Sequence, residues 1–203
     1  MVAVTAVRGG KRGPMDRPDC IALSVHLGDE GAVEHLVRVY QDQLYGYALR
    51  LIGNSFDAEE VTQDTFIRAC RTLGLRYGPD RCRRLNLRPW LYRIARNLAL
   101  NRLRARRSRG EDPLPTGAEL SDIPGPADRE GSRYLETLAD RDNLIRVLNR
   151  LESGSREVVV LRFFEGLSYA EIARITGGST AAARGKVFRT LRRLHTLLNE
   201  GAH

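Results

Sequence analysis

The chain holds 203 residues, with 33 basic against 25 acidic side chains for a formal net charge of +8, and 42% of its residues are hydrophobic. That apolar share supports packed cores and excludes a collagen-like or wholly disordered chain, while no stretch approaches the roughly 20 apolar residues of a membrane-spanning helix. The excess positive charge points to a polyanionic partner rather than to any particular fold, and no membrane insertion is expected. All basic residues but Lys11 and Lys186 are arginine. Cys20, Cys70 and Cys82 are far apart with no C-x-x-C pair, which favours reduced thiols in the cytoplasm over disulfides or zinc.

The opening MVAVTAVRGGKRGPMDRPD lacks the continuous apolar core of a secretory signal. Residues 1–24 read as a disordered tail, in which Met15 is a second candidate start. A first helix is expected from about Gly31 to Ile52. Val33, Leu36, Val37, Tyr40, Leu44, Tyr47, Ala48 and Leu51 recur at helical spacing, and Gly53-Asn54 stops it. A second helix begins at Asp57, with Glu60 three residues on as a capping pair, and runs to about Leu73. Its exposed side carries Glu59, Glu60, Gln63 and Asp64. The helix dipole favours acids at the start, which accounts for Asp57 and Glu60. Asp64 lies two turns in, where a like charge four residues from Glu60 is mildly unfavourable. That face reads equally well as a solvated surface or as an acidic dock for a basic protein.

Between Arg76 and Arg109 twelve arginines meet one opposing acid, Asp80. An Arg-rich loop with Gly78 and Pro79 leads to Pro89, suited to a first helical turn. In the helix WLYRIARNLALNRLRARR, Leu91, Ile94, Ala95 and Leu98 pack inward. Tyr92, Arg93, Arg96, Asn97, Arg104 and Arg106 are the candidates for an outward basic and aromatic face, a combination suited to unpaired bases and their phosphates. Trp90 reads first as a core aromatic at a domain corner. From Glu111 to Glu130 the sign reverses: six acids stand against Arg129 alone, among Pro113, Pro115, Pro124 and Pro126. Such a segment buries too little apolar surface to fold and reads as a flexible acidic linker. The expected organisation is all-α: two small helical domains, 25–109 and 134–203, joined by the linker 110–133.

The last third, SYAEIARITGGSTAAARGKVFRTLRRLHTLL, reads as a helix-turn-helix. Ser168 and Glu171 form a capping box, and Ala170, Ile172, Ala173 and Ile175 give the first helix an apolar face. Gly177-Gly178 ends it and Ser179 caps the next. There Val187, Leu191, Leu194 and Leu198 face the core, leaving Arg184, Lys186, Arg189, Arg192 and Arg193 largely free for phosphates or guanine edges.

Three segments in order, YQDQLYGYALRLIGNSFDAEEVTQDTF, WLYRIARNLALNRLR and SREVVVLRFFEGLSYAEIARITGGS, resemble the extracytoplasmic-function group of bacterial RNA polymerase sigma factors, of the seventy-type superfamily. The resemblance covers about Glu34 to Leu198 apart from the linker. It implies that 25–109 is region 2, which docks on core polymerase and recognises and melts the minus-ten element. It implies that 134–203 is region 4, which reads the minus-thirty-five element. The signature Asp57 to Phe66 would then dock on a coiled coil of the largest polymerase subunit through Asp57, Glu59, Glu60, Gln63, Asp64 and Phe66. The melted strand would meet Arg83, Arg84, Arg88, Trp90, Arg93, Arg96 and Asn97. The duplex would meet Ser179, Thr180, Arg184, Lys186, Arg189 and Arg193. An anti-sigma protein between the two domains is a further implied partner. This chain departs from the usual family pattern at Pro89, Asn101, Ala182-Ala183 and Gly185-Lys186, and a glycine within a recognition helix costs about 1 kcal/mol relative to alanine.

The runner-up reading is a stand-alone helix-turn-helix regulator. It calls for a dimer, yet no dimerisation coiled coil is visible, and the basic helix 90–107 and acidic helix 57–73 would be left without a role. An enzyme fits less well. Asp57, Glu59, Glu60 and Asp64 share one helix with no converging second set of carboxylates, and His26, His35, His195 and His203 lie near no triad partner. No metal and no cofactor are expected.

Overall fold

Glycine, proline and short polar caps set the helix boundaries. In the computed structural model, residues 18–110 and 147–200 are described; the expected linker from residue 111 on, and the start of the second expected domain, lie outside them. Pro18 opens α1 (Pro18–Leu27), so the expected tail is helical from that point, while residues 1–17 lie outside the described residues. The reason is that Ile21, Ala22 and Val25 find a buried seat against α3 and α4, and His26 Nδ1 donates to the Leu73 carbonyl at 2.9 Å.

Helix α2 (Ala32–Ile52) lies between Gly31 and Gly53, both left-handed at φ 73° and 75°, a conformation glycine adopts without steric cost. Leu36, Leu44, Tyr47, Ala48 and Leu51 are fully buried as expected. Val33 is instead exposed, because Ala32 takes the inward position at the helix start. Helix α3 (Ser55–Leu75) begins two residues earlier than expected. Asn54 Oδ1 accepts the Asp57 N–H at 2.9 Å, so Asn54 is the cap and Asp57 is free to turn elsewhere. Helix α4 (Pro79–Arg83) fills the Arg-rich loop, and α5 (Leu87–Ser108) packs across α2 and α3.

In the C-terminal half, α6 (Ser153–Val159) runs into one π-helical turn, Val160–Phe164. Helix α7 (Tyr169–Thr176) carries both halves of the capping box at Ser168 and Glu171, and Gly177 at φ 80° ends it. Helix α8 (Thr180–Glu200) follows, with Ser179 Oγ accepting the Ala182 N–H at 3.1 Å. Val187, Leu194 and Leu198 are buried as expected; Ala170, read as part of the α7 apolar face, is exposed.

Only helices and their connecting turns occur among the described residues. The C-terminal half has a small core of its own, in which Val147, Leu148, Leu151 and Val159 meet Leu194, Leu197 and Leu198. Its other face is continuous with the N-terminal core: Val158, Val160, Leu161, Leu167, Ile172 and Val187 join the same apolar cluster as Leu36, Tyr47, Leu91 and Ala95. Among the described residues no helix is long and apolar enough to cross a membrane.

Candidate polymerase and nucleic-acid interfaces

Arg88, Tyr92 and Arg96 recur every four residues on α5 and therefore share one face. Tyr47 and Arg50 of α2 stand beside them, and two carboxylates from the C-terminal half enter this cationic, phenolic patch. Glu157, 1% exposed, accepts from Arg96 Nε at 2.6 Å and from the Tyr47 hydroxyl at 3.2 Å. Glu165, 4% exposed, accepts from the Tyr92 hydroxyl and pairs with Arg50 at 3.5 Å. Arg88 Nη2 donates to the backbone carbonyl of Glu165, while its Nε is buried without a hydrogen-bond partner. The Tyr47 and Tyr92 rings meet edge to face at 5.2 Å and link the two glutamates. Arg156 adds a strap, donating to the Leu148, Asn149 and Leu51 carbonyls.

Burial sets the electrostatics here. It pushes the Glu165 carboxyl up against the opposing pull of Tyr92, Arg50 and Arg88. Burial also raises both phenols well above their ordinary range, and the adjacent Glu157 and Glu165 add to this for Tyr47 and Tyr92 respectively. Both tyrosines therefore remain neutral donors to the carboxylates.

The expected outward face of α5 is thus divided. Arg93, Asn97 and Arg104 are exposed, but Tyr92 is fully buried because its hydroxyl has found Glu165. Trp90 is a core aromatic as first read, 8% exposed and 5.8 Å from the Tyr77 ring. Arg83 and Arg84 are exposed at α4. Arg83 pairs with Asp80 at 2.9 Å, both side chains more than half exposed, so the pair holds Arg83 only weakly.

The acidic signature also separates. Asp57 turns inward to Arg106 at 3.1 Å and Arg102 at 3.5 Å, and Glu60 pairs with Arg102 at 2.7 Å. Phe66 is buried. Glu59 and Gln63 remain exposed along a groove that also holds Asp42, Tyr45 and Ile67, and Asp64 is half-buried. Ser179, just before α8, and Thr180, Arg184, Arg189 and Arg193 on it are exposed. Lys186 is half-buried, and its ammonium lies 2.8 Å from where a Cβ on Gly154 would stand. Phe188, which sequence reasoning missed, is 62% exposed; its place off the Val187–Leu194 stripe was the available signal. Glu157 and Glu165 were missed as well, and their only sequence cue is two acids flanking the apolar run VVVLRFF. Among the described residues no three His, Cys, Asp or Glu side chains converge to hold a metal ion.

Residues 36–109 match the family model for Sigma-70 region 2, and residues 141–194 match that for Sigma-70, region 4. The chain is 34% identical over 189 residues to the RNA polymerase sigma factor NccH of Alcaligenes xylosoxydans xylosoxydans, covering 89% of this chain and 94% of the relative. It is 33% identical over 188 residues to the ECF RNA polymerase sigma factor SigE of Mycolicibacterium smegmatis, covering 91% of this chain and 70% of that protein. The chain belongs to the extracytoplasmic-function RNA polymerase sigma factors.

As an ECF sigma factor it is a transcription initiation factor, directing core RNA polymerase to specific promoters and helping to open them. A solved structure of CnrH in complex with the cytosolic domain of CnrY matches it with a TM-score of 0.66 at 27% identity, covering 90% of this chain and 97% of that one. In this sigma factor α2–α5 belong to the region 2 match and α6–α8 to the region 4 match. The Glu157–Glu165 network therefore joins the two regions.

Proposed function

We propose that the ECF sigma activity of this chain is carried by three separate surfaces. Glu59, Gln63 and Asp64 face core polymerase, with Asp57 and Glu60 held behind them by Arg102 and Arg106, and with Phe66 anchoring the helix from inside. Arg83, Arg84, Arg93 and Asn97, together with Arg88 and Arg96, hold the melted minus-ten strand, while Trp90 fixes the start of α5. Ser179, Thr180, Arg184, Arg189 and Arg193 meet the minus-thirty-five duplex, and Lys186 steadies α8 against α6. The chain supplies binding rather than catalysis and uses no cofactor of its own. It works in the cytoplasm, beside core polymerase. The CnrH–CnrY complex supports a comparable small protein partner for this chain.

The observation that carries this reading is α8, where Arg184, Arg189 and Arg193 are exposed behind a glycine turn while Val187 and Leu194 are buried. That is the presentation a major-groove helix needs. The decisive experiment mixes the chain with bacterial core polymerase and a library of promoter-like DNA and sequences the run-off transcripts. Defined start sites that need both components support the assignment; tight duplex binding without any effect on initiation overturns it. Arg184→Ala is expected to weaken or relax selection of one upstream position by about 1–3 kcal/mol, read as a changed base preference in the same library.

A further inference from the structure

We propose that the C-terminal half of α5 is a separate DNA surface: Arg104 and Arg107, with Asn101 beside them, hold the phosphate backbone of the duplex that adjoins the melted element. The inference rests on the role assigned above to Arg93 and Asn97.

Helix α5 carries seven arginines and no acid over its 22 residues. At 3.6 residues per turn, Arg93, Asn97, Arg104 and Arg107 fall within about 80° of one another around its axis, and Arg102 and Arg106 fall on the opposite side. The ion pairs divide the same way. Arg102 and Arg106 are claimed by Asp57 and Glu60 of α3. Arg93, Arg104 and Arg107 are exposed, and no acid among the described residues pairs with them. A face that serves solubility alone interleaves both signs. The helix dipole favours cations in the last turn, which accounts for a charge at Arg107 but not for Arg93, about four turns earlier.

Chemistry separates the two ends of this stripe. The aromatic residues of α5, Trp90 and Tyr92, lie in its first two turns, and none follows them. Stacking on aromatic rings suits unpaired bases, whereas arginine and asparagine without rings suit the backbone. From Arg93 to Arg107 the helix rises about 21 Å, the length of roughly six base-pair steps of duplex. The stripe therefore leads away from the melted strand onto paired DNA.

Two contacts keep the far end cationic. Arg104 Nη1 donates to Asn101 Oδ1 at 3.5 Å, an acceptor that orients the guanidinium without cancelling its charge. Arg107 lies close enough to Arg156 that its charge, after burial, helps to hold the Arg156 guanidinium below its ordinary range. An anion arriving at Arg107 relieves that repulsion.

The test uses the chain bound to core polymerase and a fluorescein-labelled promoter fragment from the run-off library, read by anisotropy between about 50 and 200 mM salt. Arg104→Gln/Arg107→Gln is expected to make the slope of log affinity against log salt shallower by about 1.8, so that the variant loses about twelvefold less affinity over that range. Arg104→Lys/Arg107→Lys keeps the charges and is expected to keep the slope. Asn101→Asp sets a carboxylate against Arg104 and is expected to remove about half as much slope as the Gln pair. Uncharged methylphosphonate linkages in the duplex just beyond the melted element are expected to weaken the parent chain and leave the Gln pair unmoved.

An unchanged slope for the Gln pair, or methylphosphonates weakening parent and variant alike, overturns the proposal. So does an equal loss by the Gln pair on a single-stranded minus-ten oligonucleotide, which would assign these arginines to the melted strand. Should the Gln pair lose helix content, the parent chain decides alone: less than a twofold response to the methylphosphonates overturns the proposal. The underlying role is tested apart with Arg93→Gln/Asn97→Ala on that oligonucleotide. Weaker capture supports the strand-binding role, and unchanged capture removes that role and this proposal together.

Discussion

Gly185 is the weak point of α8. It lies between Arg184 and Lys186, in the interior of a helix that must be rigid to present its cations. A Cβ placed there would meet Arg189 Nη1 at 3.3 Å, the far end of an exposed side chain that can swing aside. Gly185→Ala is therefore expected to stabilise the protein by about 1 kcal/mol, seen as a higher midpoint in a thermal melt. Glu165 supplies a second outcome. Its carboxyl is raised by burial, so the folded state holds this proton more tightly than the unfolded chain does. The stability tied to that proton is fully present below the unfolded value of about 4.3 and is lost as pH climbs through the raised folded value. Denaturant unfolding across that window is expected to show a decline for the parent chain that Glu165→Gln lacks. Individual side chains were also where the sequence spoke least. Trp90 could be read first as a core aromatic at a domain corner, and it is buried. Tyr92 could not, because the acceptor that draws it inward is 73 residues further on, beyond any periodicity.

Helices α2, α5, α7 and α8 were readable because each repeats apolar residues at helical spacing and ends in glycine, proline or a polar cap. Four elements escaped: α1, α4, α6 and the π-helical turn. Helix α1 has only Ile21, Ala22 and Val25 to bury, too few to form a pattern, and it depends on α3 and α4 for a seat. The π-helical turn leaves no helical period in VVVLRFF, an apolar run interrupted only by Arg162. The acidic signature on α3 was visible, but its division was not. Asp57 and Glu60 are spaced to face α5, and only the packing of α3 on α5 shows that Arg102 and Arg106 claim them. Arg106 and Asp57 are 17% and 16% exposed, between a surface pair and a buried one. Arg106→Ala is accordingly expected to cost about 1–2 kcal/mol in chemical denaturation, above a surface pair and below a fully buried one. The loss arises from α3–α5 packing and should appear without polymerase or DNA.

Taken as a whole, the chain was legible as two helical units with opposite tasks, and the shared core between them was not. Nothing local announces that Val158 and Leu161 pack with the Tyr47 and Leu91 cluster. One consequence is cooperative unfolding. Calorimetry is expected to show a single transition whose calorimetric and van't Hoff enthalpies agree, while a chain whose two halves melt independently would give two. A further consequence concerns phase. Glu157 and Glu165 are eight residues apart. Regular α-helix would place them about 2.2 turns apart, roughly 80° out of line. The wide turn, marked by the Glu165 N–H bonding back five residues to the Val160 carbonyl at 3.1 Å, absorbs the surplus and returns both acids to one side. Insertion or deletion of one residue within 158–164 would rotate one acid off that side while leaving every arginine, tyrosine and glutamate of the network in the gene. The union of the two halves is thus encoded as a count of residues as much as by their kinds.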